Sequence, residues 1–251
     1  MTTARKIAVL AGGALLAALA GSAAAAATSV TAPLSVQLGV SGAETSSALR
    51  VFLTLTALSF IPAALICMTS FVRIVVVLSM LRHAIGLTET PPNTVLISLA
   101  LFLTLFSMAP VLEKANNQAL QPYLAGQLAP MAAIERGKAP LRDFMIRQTR
   151  EQDLMLMVDV AHAKRPATPD DISIVHLVPA FMLSELRAAF QIGFVIYLPF
   201  LLVDLVVASV LMALGMMMVP PTTVSIPMKI LLFVLIDGWN IVVKALLGTF
   251  H

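Results

Sequence analysis

The chain has 251 residues, of which 59% are hydrophobic and 12% charged, about half the roughly 25% charged share of an ordinary soluble domain. No single water-soluble core can use that much apolar surface. The apolar residues are gathered into long runs between polar stretches, so the composition excludes an ordinary globular protein and points to an all-α membrane protein. The net charge of +3 comes from scattered cations with no basic stripe and interleaved aromatics, which argues against nucleic acid as a partner. The lone Cys67 allows neither an intramolecular disulfide nor a cysteine-built metal site.

Arg5 and Lys6 precede a small-residue apolar stretch over 7–20 and an alanine run ending at Ala27. The pattern predicts a signal peptide over 1–27, with an uncleaved anchor as the other reading. Cleavage near Ala27 leaves the new N-terminus outside the cytoplasm. Residues 28–47 are rich in Ser, Thr, Gly and Ala without periodicity and are expected to form a flexible extracytoplasmic lead.

About four hydrophobic segments follow, arranged as long kinked helical hairpins. The first hairpin covers 48–112. Residues 51–72 carry no charge and run past Arg73 to 81, as one long helix or a pair kinked near Pro62; residues 90–112 are again uncharged and meet Pro110 at their far end, where a helix is expected to stop or bend. The polar region 113–185 is longer than the loops that obey the positive-inside rule and is expected to be helical and extracytoplasmic, with breakers between 164 and 171. The second hairpin covers 186–251: a long apolar run interrupted by Asp204, a methionine loop at 215–221, and a last segment over 230–250 weakened as a lipid-facing span by Asp237 and Lys244. Starting from outside, this order delivers Arg73, Arg82, His83 and Lys229 to the cytoplasm, where cations are retained.

Hydrolytic, metal and nucleotide motifs are absent from the sequence, and His83, His162, His176 and His251 are too dispersed to form a ligand set, so neither an enzyme nor a cofactor is expected. An intramembrane carboxylate costs about 2.5 to 3.5 kcal/mol on insertion scales, so Asp204 needs a partner or a wet cavity. One reading is a secondary transporter using Asp204 as a proton or cation site beside helices broken at Pro199, Gly215 and Pro220–Pro221; the other pairs Asp204 with a neighbouring subunit or with headgroups. Asp237, beside Gly238 and Trp239, suits the membrane interface. Met216, Met217 and Met218 cannot share one helical face, and the prolines after them end the helix, so they should project from a loop. Soft thioether side chains there either gate a pore by dewetting or merely fill a membrane core.

The stretches PAFMLSELRAAFQIGF at 179–194, PFLLVDLVVASVLMALGMMMVPP at 199–221 and FVLIDGW at 233–239 resemble the FliP family of type III export-gate proteins, which has homologues in virulence secretion systems; TSFVRIVVVL at 69–78 and QTRE at 148–151 fit as well. The resemblance implies a core subunit of the flagellar export gate in the bacterial inner membrane and flagellar basal body, in several copies around one pore. It implies partners in FliQ and FliR, other copies of the chain, FlhB and FlhA, and unfolded flagellar export substrates as cargo. It assigns Met216, Met217 and Met218 to a pore gasket, with Gly215, Pro220 and Pro221 as the loop's hinges. Arg73, Glu185, Phe144, Asp204 and Asp237 become buried charges or subunit contacts, and the hairpins are expected to be partly covered by other subunits.

Overall fold

The structure, a computed structural model, describes residues 42–163, 168, 171–216 and 218–250. The signal peptide, most of the lead, part of the 164–171 breaker region and Met217 therefore lie outside the described residues. The chain divides into two compact units, 1–55 and 56–251. Helix α1 (Gly42–Cys67) runs through residue 55, and the account below concerns the second unit.

In that unit α2 (Phe71–Ile85) follows α1 after a break at 68–70. Pro62 lies inside α1, and the run breaks about two turns after it, at Met68–Ser70. Helix α2 buries Ile74, Val77, Leu78, Leu81, Ala84 and Ile85, a stripe at spacings of three and four that makes it the central strut. It ends where Gly86 turns left-handed (φ 91°): the Gly86 N–H donates to the His83 carbonyl and the Leu87 N–H to that of Arg82, a Schellman closure.

Helix α3 (Asn93–Ala115) does not stop at Pro110 but passes into a π-helical turn (Asn116–Leu120) and α4 (Gln121–Leu124). A proline costs one backbone hydrogen bond, and a helix packed on both α2 and α5 tolerates that loss. The polar region holds α5 (Pro130–Gln148) and α6 (Glu151–Val160), and its end runs into α7 (Ile174–Ala213), a helix of 40 residues that includes residue 185, where the sequence divides polar region from second hairpin. Helices α8 (Pro221–Leu235) and α9 (Gly238–Gly248) complete the unit, bent by 66° at Ile236–Asp237.

Among the described residues two helical runs are long and apolar enough to cross a membrane, Asn93–Leu124 and Ile174–Ala213, or three if the bent α8–α9 pair is one span. A further apolar helix over Val51–Ala64, within the first of the four hydrophobic segments, is shorter than these. The last part of the apolar run over 51–81 belongs to α2, which is wrapped by α3, α7 and α8 and forms the core of the unit. A second core joins Met108 and Val111 of α3 to Phe144 and Met145 of α5 and Leu177 and Phe181 of α7.

Candidate functional site

Three clusters of side chains stand out, all strung along α7. The first is built on Arg73, which enters the core from the first turn of α2 and is 4% exposed. Its Nε–H donates to Glu185 Oε2 at 2.8 Å, and Nη2 donates to Glu185 Oε1 and to Gln148 Oε1 (3.0 Å). Nη1 donates to the hydroxyl (3.0 Å) and carbonyl (3.5 Å) of Thr249. All five guanidinium hydrogens thus have acceptors, the condition under which a buried charge is tolerable. The Phe250 ring lies over the guanidinium carbon at 4.1 Å, adding a cation–π contact. This node joins α2, α5, α7 and the chain's last residues. Phe144 packs edge-on to Phe181 (5.8 Å) and beside Phe250 (6.4 Å).

One residue before Glu185, the Ser184 hydroxyl donates to Asp153 Oδ2 at 2.7 Å and accepts the Arg150 backbone N–H at 3.0 Å. Asp153 is buried and also faces Arg187 at 3.6 Å. The turn between α5 and α6 is thereby pinned to α7 through a polar pair that no local pattern announces.

Farther along α7, Asp204 Oδ2 accepts from Lys229 Nζ of α8 at 2.6 Å. Lys229 is the buried member (side chain 5% exposed against 39% for Asp204). The partner that Asp204 required is therefore in its own chain. Arg73 and Lys229, both counted as cations retained on the cytoplasmic side in the topology reading, are held in internal pairs; Arg82 instead reaches the Pro91 carbonyl and Asn93 Oδ1.

Ten residues beyond Asp204, about 15 Å along the helix, α7 closes on a second Schellman turn. Gly215 is left-handed (φ 74°), its N–H donates to the Met212 carbonyl, and the Met216 N–H reaches Leu211. Only glycine adopts that conformation without strain. At the other end Pro220 precedes α8 and Pro221 occupies its first turn, where a missing N–H costs nothing. Between these ends Met216 is 44% exposed and Met218 97%. Asp237 is also left-handed (φ 53°) at the α8–α9 bend and accepts from the Asn240 amide.

The structure thus brings Arg73 and Glu185 together, sets Phe144 beside their node, and separates Asp204, Asp237 and the methionines from it. Glu185 and Phe144 are buried inside this chain (0% and 4% exposed). Sequence reasoning missed Lys229, Thr249, Phe250 and the Ser184–Asp153 pair. A signal for Lys229 was available: one acid and one base, each alone in apolar helices joined by a short turn, are expected to meet.

A model of the FliP family matches residues 54–246. The chain is 50% identical over 210 residues to the flagellar biosynthetic protein FliP of Pectobacterium carotovorum subsp. carotovorum, covering 84% of this chain and 81% of that protein. It is 49% identical to the flagellar biosynthetic protein FliP of Cereibacter sphaeroides (86% and 72% covered) and 49% identical to that of Bacillus subtilis strain 168 (82% and 93% covered).

Proposed function

Because this chain belongs to the FliP family and is a flagellar biosynthesis component of the inner membrane, we propose that it is a core pore-forming subunit of the flagellar type III export gate, passing unfolded flagellar subunits across that membrane. The observation that carries this reading is the methionine loop. It sits at the tip of a hairpin whose two ends are closed by residue-specific turns, and its Met216 and Met218 side chains are held away from the chain's own core. Neither belongs to a hydrophobic core formed by the described residues. Repeated around an axis, such flexible apolar side chains would dewet a constriction yet yield to a moving polypeptide.

The Asp204–Lys229 pair supports the same reading by bracing α7 against α8 behind the loop. It weighs against the transporter reading, since a carboxylate 2.6 Å from a buried ammonium is already compensated. In the proposed assembly the loop meets its counterparts in other copies, FliQ and FliR pack on the exposed apolar helices, and FlhB and FlhA lie on the cytoplasmic side. The N-terminus and region 113–185 face the periplasm. Glu185 and Phe144 serve assembly by holding α7 in position. Energy comes from partners.

Replacing Met216, Met217 and Met218 together by alanine is expected to raise ion leak through the assembled gate while FliQ and FliR still co-purify. Leucine at the same positions should restore most of the seal. An unchanged leak in an intact assembly removes the gasket role.

A further inference from the structure

A cavity of about 190 Å³ opens between α2 and the α8–α9 bend, with Leu78, Leu81 and Ile85 on one side and Phe233 and Trp239 on the other. Among the described residues Arg82 is the only charged one in its wall. Two of its hydrogens are used: Nη1 donates to the Pro91 carbonyl (3.2 Å) and to Asn93 Oδ1 (2.7 Å), both neutral acceptors. Its Nε–H is buried with no acceptor. Among the described residues no carboxylate forms an ion pair with it, and none lines the cavity. Trp239, half-exposed and edge-on to Phe233 at 5.4 Å, puts an indole at the rim, the side chain favoured at a membrane's polar boundary.

We propose that this cavity is a binding site for one anionic membrane phospholipid, its phosphate accepting from the Arg82 guanidinium and a segment of acyl chain entering between α2 and the α8–α9 bend. The charge argues for the headgroup: a half-buried guanidinium with no carboxylate facing it among the described residues is matched by a phosphate oxygen at its accessible amino edge. The wall argues for the tail. Apolar cavities of about 150 Å³ accept a benzene ring, so this one holds a short stretch of hydrocarbon but not a whole lipid, leaving the remainder along the exposed faces of α8 and α9. A free phosphate would gain nothing from such a wall, and an apolar side chain from another protein would leave the Arg82 charge without a counter-ion. The lipid would fill the wedge left by the 66° bend and fix the angle between α8 and α9.

The test is native mass spectrometry of the full chain, in the assembly in which it purifies, after delipidation and addition of phosphatidylglycerol, phosphatidylcholine of matched chains, or inorganic phosphate. One bound phosphatidylglycerol is expected, preferred about fivefold over phosphatidylcholine for a single cation at the surface. Arg82→Gln should bring that preference to unity and Arg82→Lys should keep most of it. Val234→Trp, at a 68% exposed position of the cavity wall, should cut retention of both lipids without disturbing the core. Inorganic phosphate should not compete. The proposal fails if Arg82→Gln retains the wild-type preference, if inorganic phosphate displaces the lipid, or if a photocrosslinker at position 234 joins another polypeptide in place of lipid. Should the glutamine variant fail to fold, the lysine and tryptophan variants still decide the matter.

Discussion

Residues 174–193 of α7 bury Leu177, Ala180, Phe181, Ser184, Glu185, Ala189 and Gly193 against the rest of the chain, whereas residues 194–213 of the same helix bury only Phe200 and Leu211. The first half recurs at spacings of three and four and carries two polar anchors, so its position is determined by this chain alone. The second half turns Phe194, Leu201, Leu202, Leu205 and Val206 outward. An apolar surface of that extent needs cover from lipid or other chains. One unbroken helix therefore transmits the placement of a packed scaffold to a hairpin tip that the scaffold does not touch. Small residues make the scaffold side possible: a Cβ on Gly193 would collide with the Met80 side chain.

The contrast can be broken most forcefully at the node. Glu185→Ala leaves Arg73 buried without its counter-charge and is expected to cost about 3–5 kcal/mol, read as a lower unfolding midpoint in detergent. The double replacement Arg73→Leu with Glu185→Leu should recover much of that loss. If the single variant is as stable as the parent, the node is not what holds α7.

In the outer half, Asp204→Asn strands the buried Lys229, and an expected loss of about 2–3 kcal/mol should be largely relieved by adding Lys229→Met. A double-mutant cycle measures the coupling, and additive effects would mean the two side chains do not meet in the membrane. Ser184→Ala removes one acceptor and one donor from the α6–α7 anchor and should cost about 1–2 kcal/mol by the same thermal measurement. A drop smaller than that of an exposed control serine would take the anchor out of the scaffold.

The smallest stability effect belongs to the loop. Met216→Ala with Met218→Ala should shift unfolding by no more than about 0.5 kcal/mol, because exposed side chains contribute little to folding. A large loss there would show that the tip is part of the core after all, and the division drawn along α7 would have to move.

Local features of the site were legible in the sequence. The apolar runs, the end of α7 at Gly215 and the start of α8 at Pro220–Pro221 follow from backbone chemistry acting over a few residues. Legibility failed where the outcome depended on competition between surroundings. Near Pro62 either one long helix or a kinked pair was open and at Pro110 a stop or a bend; both prolines lie inside helices. The run over 51–81 has the composition of a lipid-facing segment, but α2 is covered on several sides by helices of its own chain. Hydrophobicity reports that a segment avoids water and is silent on whether protein or lipid replaces it.

By itself the sequence determined the class of the molecule, the helical runs, the methionine tip bounded by turn-forming residues, and the family. Tertiary structure alone decided that Arg73 meets Glu185, across 112 positions. The reason is geometric. Pairing needs the register and rotation of two helices packed against each other, and neither quantity is encoded in a window short enough to read along the chain.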